Sequence, residues 1–371
     1  MSFIVLKYLN ILNFKNWEEC ALSFSEEINC FLGPNGVGKT NLLDAIHYLC
    51  TTKSFLTHTD AHMIRQGADF VMIKGLFERS GQEDEILLSL KKNEKKVLKR
   101  NDIEYTKLSD HIGLLPVVVI SPMDSNLIHE GSEERRKVTD LILSLADGLY
   151  LHYLLRYNRL LQQRNAYLKE AVPSRKIRAD ILGLYDAQME PLAAYIYEAR
   201  RTFLGKTNEW LTDFYYKIAE TGERVSIQYQ SDLDHGPLSI LLQHSIQRDT
   251  EVLYTSKGIH RDDLEMQLNG NPIKKFGSQG QQKSFLIAMK LAMYAVLKEK
   301  TGLPPILLFD DIFDKLDQRR TTHVIQLVKE MKFGQIFLTD THPERSMQLA
   351  GQFDGNACFY HISADQKVEK L

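Results

Sequence analysis

Residues 28–32 form a short, mainly apolar run, with Asn29 inside it, that stops at Gly33, and beyond the glycine loop Leu42, Leu43, Ile46 and Leu49 recur at helical spacing. The first pattern predicts a buried strand and the second the inward face of a helix. The rest of the first 120 residues reads as short alternating stretches, including a charged hairpin in which 85–90 and 95–99 flank Lys92-Asn93-Glu94. This texture predicts the first lobe of an α/β domain.

From about residue 126 to 220 the pattern turns to long helical periodicity rich in Leu, Tyr and Arg, interrupted around Pro173 and Gly183. Strand-like sequence resumes at 225–230 and 264–268, where Asn269-Gly270-Asn271-Pro272 marks a turn. A helix over 281–300, an apolar strand at 306–309, a helix over 319–331 and a strand at 335–339 complete an α/β pattern. The predicted organisation is a discontinuous α/β domain, 1–125 and 221–371, with an all-helical insertion, or arm, at 126–220. The helical segment has no sustained a/d heptads and is broken by Pro173, so no long coiled coil is expected.

Apolar residues make up 43% and charged residues 25% of the 371 positions, which is the balance of an ordinary soluble protein rather than a disordered one. The longest apolar stretches, 304–309 and 116–120, fall far short of the roughly 20 residues of a membrane helix. Residues 1–8 lack the features of a signal peptide, so a cytoplasmic protein with no membrane partner is expected. Cys20, Cys30, Cys50 and Cys358 show neither C-x-x-C pairing nor a histidine at ligand spacing, and are expected to be free thiols. The formal net charge is only -2, so any nucleic-acid surface must come from local clustering.

Gly33-Pro34-Asn35-Gly36-Val37-Gly38-Lys39-Thr40 matches G-x-x-x-x-G-K-[ST], between a predicted strand and a predicted helix. In such a loop the backbone N–H groups close around the phosphates of a nucleotide, and the helix start aims its positive dipole end at the same anion. Lys39 is expected to reach the phosphates, and Thr40 to place its hydroxyl on Mg²⁺. The strand at 306–309 runs into Asp310-Asp311, a Walker B arrangement. Asp310 is the expected metal-side residue, and Asp311 the general base or water-positioning group.

Gly277-Ser278-Gln279-Gly280-Gln281-Gln282-Lys283 precedes a long helix and then the acidic strand, in the order in which ABC-type ATPases carry an L-S-G-G-Q-like signature. There the signature is a second anion-binding helix N-terminus, so Ser278, Gln279, Gly280 and Gln281 are expected to meet the ATP held by an opposite subunit. Asp317, in Phe313-Asp314-Lys315-Leu316-Asp317, is expected in the D-loop, and His342 where a switch histidine senses the γ-phosphate. The fold class is therefore an α/β ABC-type P-loop ATPase head, two-lobed and discontinuous.

Several strings resemble the RecF family of bacterial recombination mediators over essentially the whole chain. They are Leu9 to Asn16; Gly33 to Ile46 with Thr40-Asn41-Leu42-Leu43; Ser121-Pro122-Met123-Asp124 followed by Gly131 to Arg136; His260-Arg261-Asp262-Asp263; and Ser278-Gln279-Gly280-Gln281-Gln282. Ile259 stands where the family usually has Pro, and Lys315 lies in a D-loop that is commonly Ser-Glu-Leu-Asp. The resemblance adds Asn41 to the ATP-binding set and implies ATP-dependent head-to-head dimerisation on duplex DNA near single-strand/double-strand junctions. It further implies a slow, DNA-stimulated ATPase that acts as a switch, RecR as partner, RecO in the same pathway, and a role in assisting recombinase loading. Related SMC ATPases carry a glutamine near residues 121–124, which makes Asp124 a further Mg²⁺-side candidate.

Between 156 and 178 the arm carries Arg156, Arg159, Arg164, Lys169, Arg175, Lys176 and Arg178 against a single acid, Glu170. These are candidate phosphate contacts for sequence-independent DNA binding. The hairpin residues Lys91, Lys92, Lys95, Lys96, Lys99 and Arg100 form a second candidate. The phosphate loop alone also permits a small-substrate kinase, against which the Ser278-Gln279-Gly280 signature argues, or a defence-system ATPase.

Overall fold

The computed structural model describes residues 3–57, 59–172, 178–343, 347, 351 and 357–371. The chain opens with strands β1 (Ile4–Phe14), β2 (Trp17–Ser23) and β3 (Ile28–Leu32), then helix α1 (Lys39–Thr51). Strands β4 (Phe70–Arg79), β5 (Gln82–Lys91), β6 (Val97–Arg100), β7 (Ile103–Glu104) and β8 (Val117–Ile120) follow. Four helices come next: α2 (Asn126–His129), α3 (Ser132–Ala146), α4 (Gly148–Ala171) and α5 (Ala179–Ala219). Then come β9 (Val225–Gln230), α6 (Leu238–Val252), β10 (Asp263–Leu268), β11 (Asn271–Pro272) and α7 (Ile273–Phe276). The last elements are α8 (Gln279–Thr301), β12 (Ile306–Phe309), α9 (Gln318–Glu330), β13 (Ile336–Asp340), β14 (Ala357–Ile362) and β15 (Val368–Lys370).

The chain divides into two compact units, of which the first takes Met1–Ser125, Asp213–Thr221 and Gln279–Leu371. Among its described residues are an antiparallel sheet ordered β2-β1-β4-β5-β6-β7 and a mainly parallel sheet ordered β15-β14-β3-β13-β12-β8. Every residue of β3, β8, β12 and β13 is buried, which is why β8 and β12 read as unbroken apolar runs and β3 and β13 as mainly apolar ones. In β4 and β5 burial alternates, with Val71, Ile73, Phe77, Ile86, Leu88 and Leu90 turned inward.

Helix α1 shares one apolar cluster with both sheets, because Leu42, Leu43, Ile46 and Leu49 join Val71, Ile73 and Leu88 on one side and Ile306, Leu308 and Phe337 on the other. Gly75 permits its close approach to β4, since a Cβ there would stand 2.8 Å from Leu49 Cδ1. Gln335 ties the sheets together: Leu6 N–H donates to its Oε1 (2.7 Å), and its Nε2 donates to Leu6 O (2.9 Å) and Ser25 O (2.6 Å). Cys20, Cys30 and Cys50 are buried and Cys358 half-buried, all as free thiols.

The second unit takes Asn126–Thr212 and Gly222–Ser278, which moves the expected boundary. Among the described residues, helices α2 to α5 occupy most of 126–172 and 179–219. However, 222–278, expected with the ATPase head, belong with the helices and bring an antiparallel sheet ordered β11-β10-β9. Buried charge pairing is the reason. Arg135 makes a bidentate pair with Asp263 (2.7 and 3.0 Å), and buried Arg200 spans Asp140 (2.9 Å) and Asp262 (2.7 Å). Local periodicity carries no trace of these long-range contacts.

The string at 260–263 is mostly an internal hub. His260 Nδ1 faces the Tyr157 hydroxyl (2.9 Å) and Nε2 faces Thr255 O (2.9 Å), and burial lowers its pKa to about 4, so the ring is neutral near pH 7. Arg261 alone of the four is exposed. A second hub corrects the expectation that Arg164 touches DNA, because its side chain is fully buried between Asp186 (2.8 Å) and Asp249 (2.8 Å). A guanidinium that holds two inward carboxylates is not available to a phosphate.

Replacing Arg164 by Ala strands the fully buried Asp249 and is expected to lower stability by about 3–5 kcal/mol in urea unfolding. A loss below about 1 kcal/mol, the range of surface pairs, would contradict the buried assignment.

Candidate active site

The phosphate-binding motif forms a tight loop from the end of β3 to the start of α1. Gly33 (φ 153°) is required by packing as well as by its backbone angle, because a Cβ there would lie 2.3 Å from Ile362 O at the end of β14. At Gly38 (φ 108°) a Cβ would lie 2.5 Å from Asn16 Nδ2 and 2.9 Å from Trp17 Nε1. The β1–β2 turn thus rests on the loop and bonds it: Asn16 Nδ2 donates to Val37 O and Trp17 Nε1 to Gly38 O, each at 3.1 Å. Asn41 Nδ2 donates to Asn16 Oδ1 (2.6 Å), so Asn41 supports the loop from below. Lys39 is buried, and its Nζ donates to Gly33 O (2.8 Å) and Pro34 O (3.0 Å) across the mouth of its own loop.

The acidic strand end meets this loop. Thr40 Oγ1 donates to Asp310 Oδ1 at 2.7 Å, and Thr339 Oγ1 donates to the same oxygen at 2.9 Å. Thr339 Oγ1 in turn accepts from Asp311 N–H (2.9 Å), which helps hold Asp311 in its left-handed conformation (φ 43°). Burial raises the Asp310 pKa, partly opposed by the Thr40 and Thr339 hydrogen bonds. A hydroxyl and a carboxylate oxygen side by side are hard donors, too few to enclose a cation alone. They suit Mg²⁺, which keeps phosphate and water oxygens among its ligands. Thr339 was missed in the sequence; its only signal is a hydroxyl near the end of an apolar strand.

Asp311 lines a cavity of about 110 Å³ with Ser121, Asp124 and Lys283. Asp124, expected on the Mg²⁺ side, is engaged here with other groups. Its Oδ1 lies 3.1 Å from Nζ of buried Lys290 on α8, and its Oδ2 accepts from Ser121 N–H (2.8 Å). A carboxylate so committed to a buried ammonium anchors the turn after β8 to α8.

Ser278 and Gln279 are exposed at the start of α8, with Gly280 and Gln281 half-buried. Past its first turn this helix is buried on every side, from Ser284 to Leu297, so its N-terminal end is fixed by the core. Asp317 caps α9, its Oδ1 accepting from Arg320 N–H (2.9 Å). His342 is exposed just beyond β13 and is held through its backbone N–H on Asp340 Oδ1 (3.0 Å). The geometry therefore joins Lys39, Thr40, Asp310 and Asp311 in one place and leaves His342 at the rim.

Of the arm cations, Arg156, Arg159 and Lys169 are exposed, and Arg178 is exposed but paired with Asp180 (2.5 Å). Arg175 and Lys176 lie outside the described residues. The hairpin cluster is largely neutralised: Lys92 pairs with Asp69 (3.2 Å), Lys96 with Asp60 (2.9 Å), and Arg100 with Asp84 (2.7 Å).

The model of the RecF/RecN/SMC N terminal domain matches residues 5–358. The DNA replication and repair protein RecF of Flavobacterium johnsoniae is 46% identical over 341 residues, 92% of this chain and 95% of that one. The chain belongs to the RecF family. A solved structure of the recombination mediator protein RecF with ATP, from the RecFOR pathway, superposes with a TM-score of 0.89 at 29% identity, covering 100% of this chain and 98% of that one. The Smc head domain of Pyrococcus furiosus shares the fold, with a TM-score of 0.57 at 17% identity over 100% of this chain and 96% of its own. Within this family the chain is an ABC-class head, and it lacks a long coiled coil among the described residues.

The Trp17–Gly38 bond yields a test. Trp17→Phe keeps the apolar body and removes the indole donor, and is expected to weaken ATP binding about three- to tenfold, the worth of one hydrogen bond. Unchanged affinity in a fluorescent-nucleotide titration would show that the turn does not stiffen the loop.

Proposed function

We propose that this RecF-family chain is an ATP-driven, DNA-binding switch of recombinational repair and replication restart. The observation that carries the reading is the 2.7 Å contact of Thr40 with Asp310, which assembles a phosphate loop and an acidic strand end into one hard-oxygen site. The RecF–ATP structure it resembles supports ATP as the nucleotide. In this reading the loop N–H groups of residues 33–40 cradle the phosphates, and Lys39 leaves its own carbonyls for them. Thr40 and Asp310 would hold Mg²⁺, which when bound would supply positive charge to the phosphate oxygens. Asp311 takes the proton of the attacking water, and His342 approaches the γ-phosphate from the rim.

The signature residues Ser278, Gln279, Gly280 and Gln281 bind the ATP of a second copy, with Asp317 at the same interface, so ATP joins two heads on DNA. Slow, DNA-stimulated hydrolysis releases them, and nucleotide state sets residence on DNA near single-strand/double-strand junctions. RecR is the partner expected from the family, RecO acts in the same pathway, and the cytoplasm is the expected compartment. DNA phosphates meet the arm through Arg156 and Arg159, supported by Arg178.

The deciding measurement is solution mass by light scattering with ATP, with ADP, and with ATP in Lys39→Ala. ATP is expected to double the mass of the unaltered chain alone; a mass indifferent to nucleotide would remove the two-headed reading and reopen a kinase-like one. Asp311→Asn is expected to keep ATP binding and dimerisation while hydrolysis falls at least about 100-fold, the lower bound for losing a general base. Near-normal turnover would assign the base elsewhere.

For the arm, reversing Arg156 and Arg159 to Glu is expected to weaken DNA binding and flatten the log-affinity against log-salt slope by about 2, close to one unit per lost phosphate contact. Identical salt slopes would take DNA off this helix face.

A further inference from the structure

Beside the signature stands a residue that no motif includes. Gly280 is the second residue of α8, and a Cβ on it would lie 2.6 Å from Arg320 Nη1, 3.6 Å from Cζ and 3.7 Å from Nη2. The Nη1 end of the Arg320 guanidinium therefore occupies the space beside Gly280 where a side chain would begin. At its other end Arg320 is fastened to the D-loop twice: its backbone N–H donates to Asp317 Oδ1 (2.9 Å), and its Nε is 3.4 Å from Asp317 Oδ2. Its side chain is 26% exposed, against 75% for neighbouring Arg319, which reaches away to Glu220.

One side chain thus spans from the N-cap of α9 to the second residue of α8. From this we infer that Arg320 is a positioning residue for the signature half of the ATP site. It fixes the spacing between Gly280 and Asp317, and it adds positive charge behind the groups that receive a second copy's phosphate. The inference rests on the reading that ATP joins two copies. It also gives a cis reason for glycine at 280, since any side chain there would push the guanidinium aside.

The test compares Arg320→Ala, Arg320→Lys and Arg319→Ala with the unaltered chain. For each, ATP affinity is measured at concentrations where the chain is monomeric, the protein concentration for half-dimerisation with ATP is measured by light scattering, and the melting temperature is recorded. Arg320→Ala is expected to keep monomer ATP affinity and melting temperature but to need about tenfold more protein to dimerise. Arg320→Lys should recover part of that loss, because it keeps the charge without the guanidinium fork that reaches both Asp317 and Gly280. Arg319→Ala should behave as the unaltered chain.

If Arg320→Ala dimerises at unaltered concentrations, or loses monomer ATP affinity and melting temperature along with dimerisation, the positioning role is overturned. If the unaltered chain stays monomeric with ATP, the two-headed reading falls and this inference with it. Dimerisation of both the unaltered chain and Arg320→Ala to the same degree sinks the inference alone.

Discussion

A hydrogen bond between Thr40 and Asp310, 270 residues apart, is the constraint around which the first unit is built. It requires β3 and β12 to end at the same edge of one sheet, with only β13 between them, and the strand order β3-β13-β12 supplies that. It also requires the loop to turn tightly enough for α1 to start beside the acidic strand. Gly33, pressed against Ile362 O, and the Asn16 and Trp17 side chains on Val37 O and Gly38 O hold that turn. Burial of α1 between two sheets then fixes where its first turn points.

Charge inside the second unit follows a different logic from charge at its surface. Arg164 and Arg200 are the centres of buried ionic hubs, and each removes two carboxylates from competition with solvent. Such pairs add little net stability over apolar packing, yet breaking one is costly, so they select the arrangement more than they strengthen it. They bind the strands after residue 222 to the helices before 212, and so set the true division of the chain. Arg156 and Arg159 lie on the same helix as Arg164 but face solvent, which no count of basic residues distinguishes.

Helix α8 links the core to the signature string. Its buried length makes it rigid, while its first residues emerge next to the D-loop cap, with Arg320 filling the space over Gly280. On the same helix Lys290 holds Asp124 in the turn after β8. One element thus begins at the signature string, lies beside the Asp317 cap through Arg320 and holds the turn after β8 through Lys290.

The sequence alone determined whatever depends on local order. Strands 28–32 and 306–309 lie where their mainly apolar runs place them, since a strand buried on both faces needs little but such a run, and 225–230 lies where its alternation places it. The phosphate loop, the acid pair and the signature were legible because each needs fixed residue types at fixed spacing. Only the tertiary structure decided the fate of single side chains: Arg164 turned inward to Asp186 and Asp249, Asp124 to Lys290, Thr339 to Asp310, and Arg320 over Gly280. The unit boundary belongs with these, because it rests on ion pairs between residues 62 and 128 positions apart. Periodicity records which face of an element is buried, whereas a charged side chain's partner is set by which distant elements the fold brings within a few ångströms.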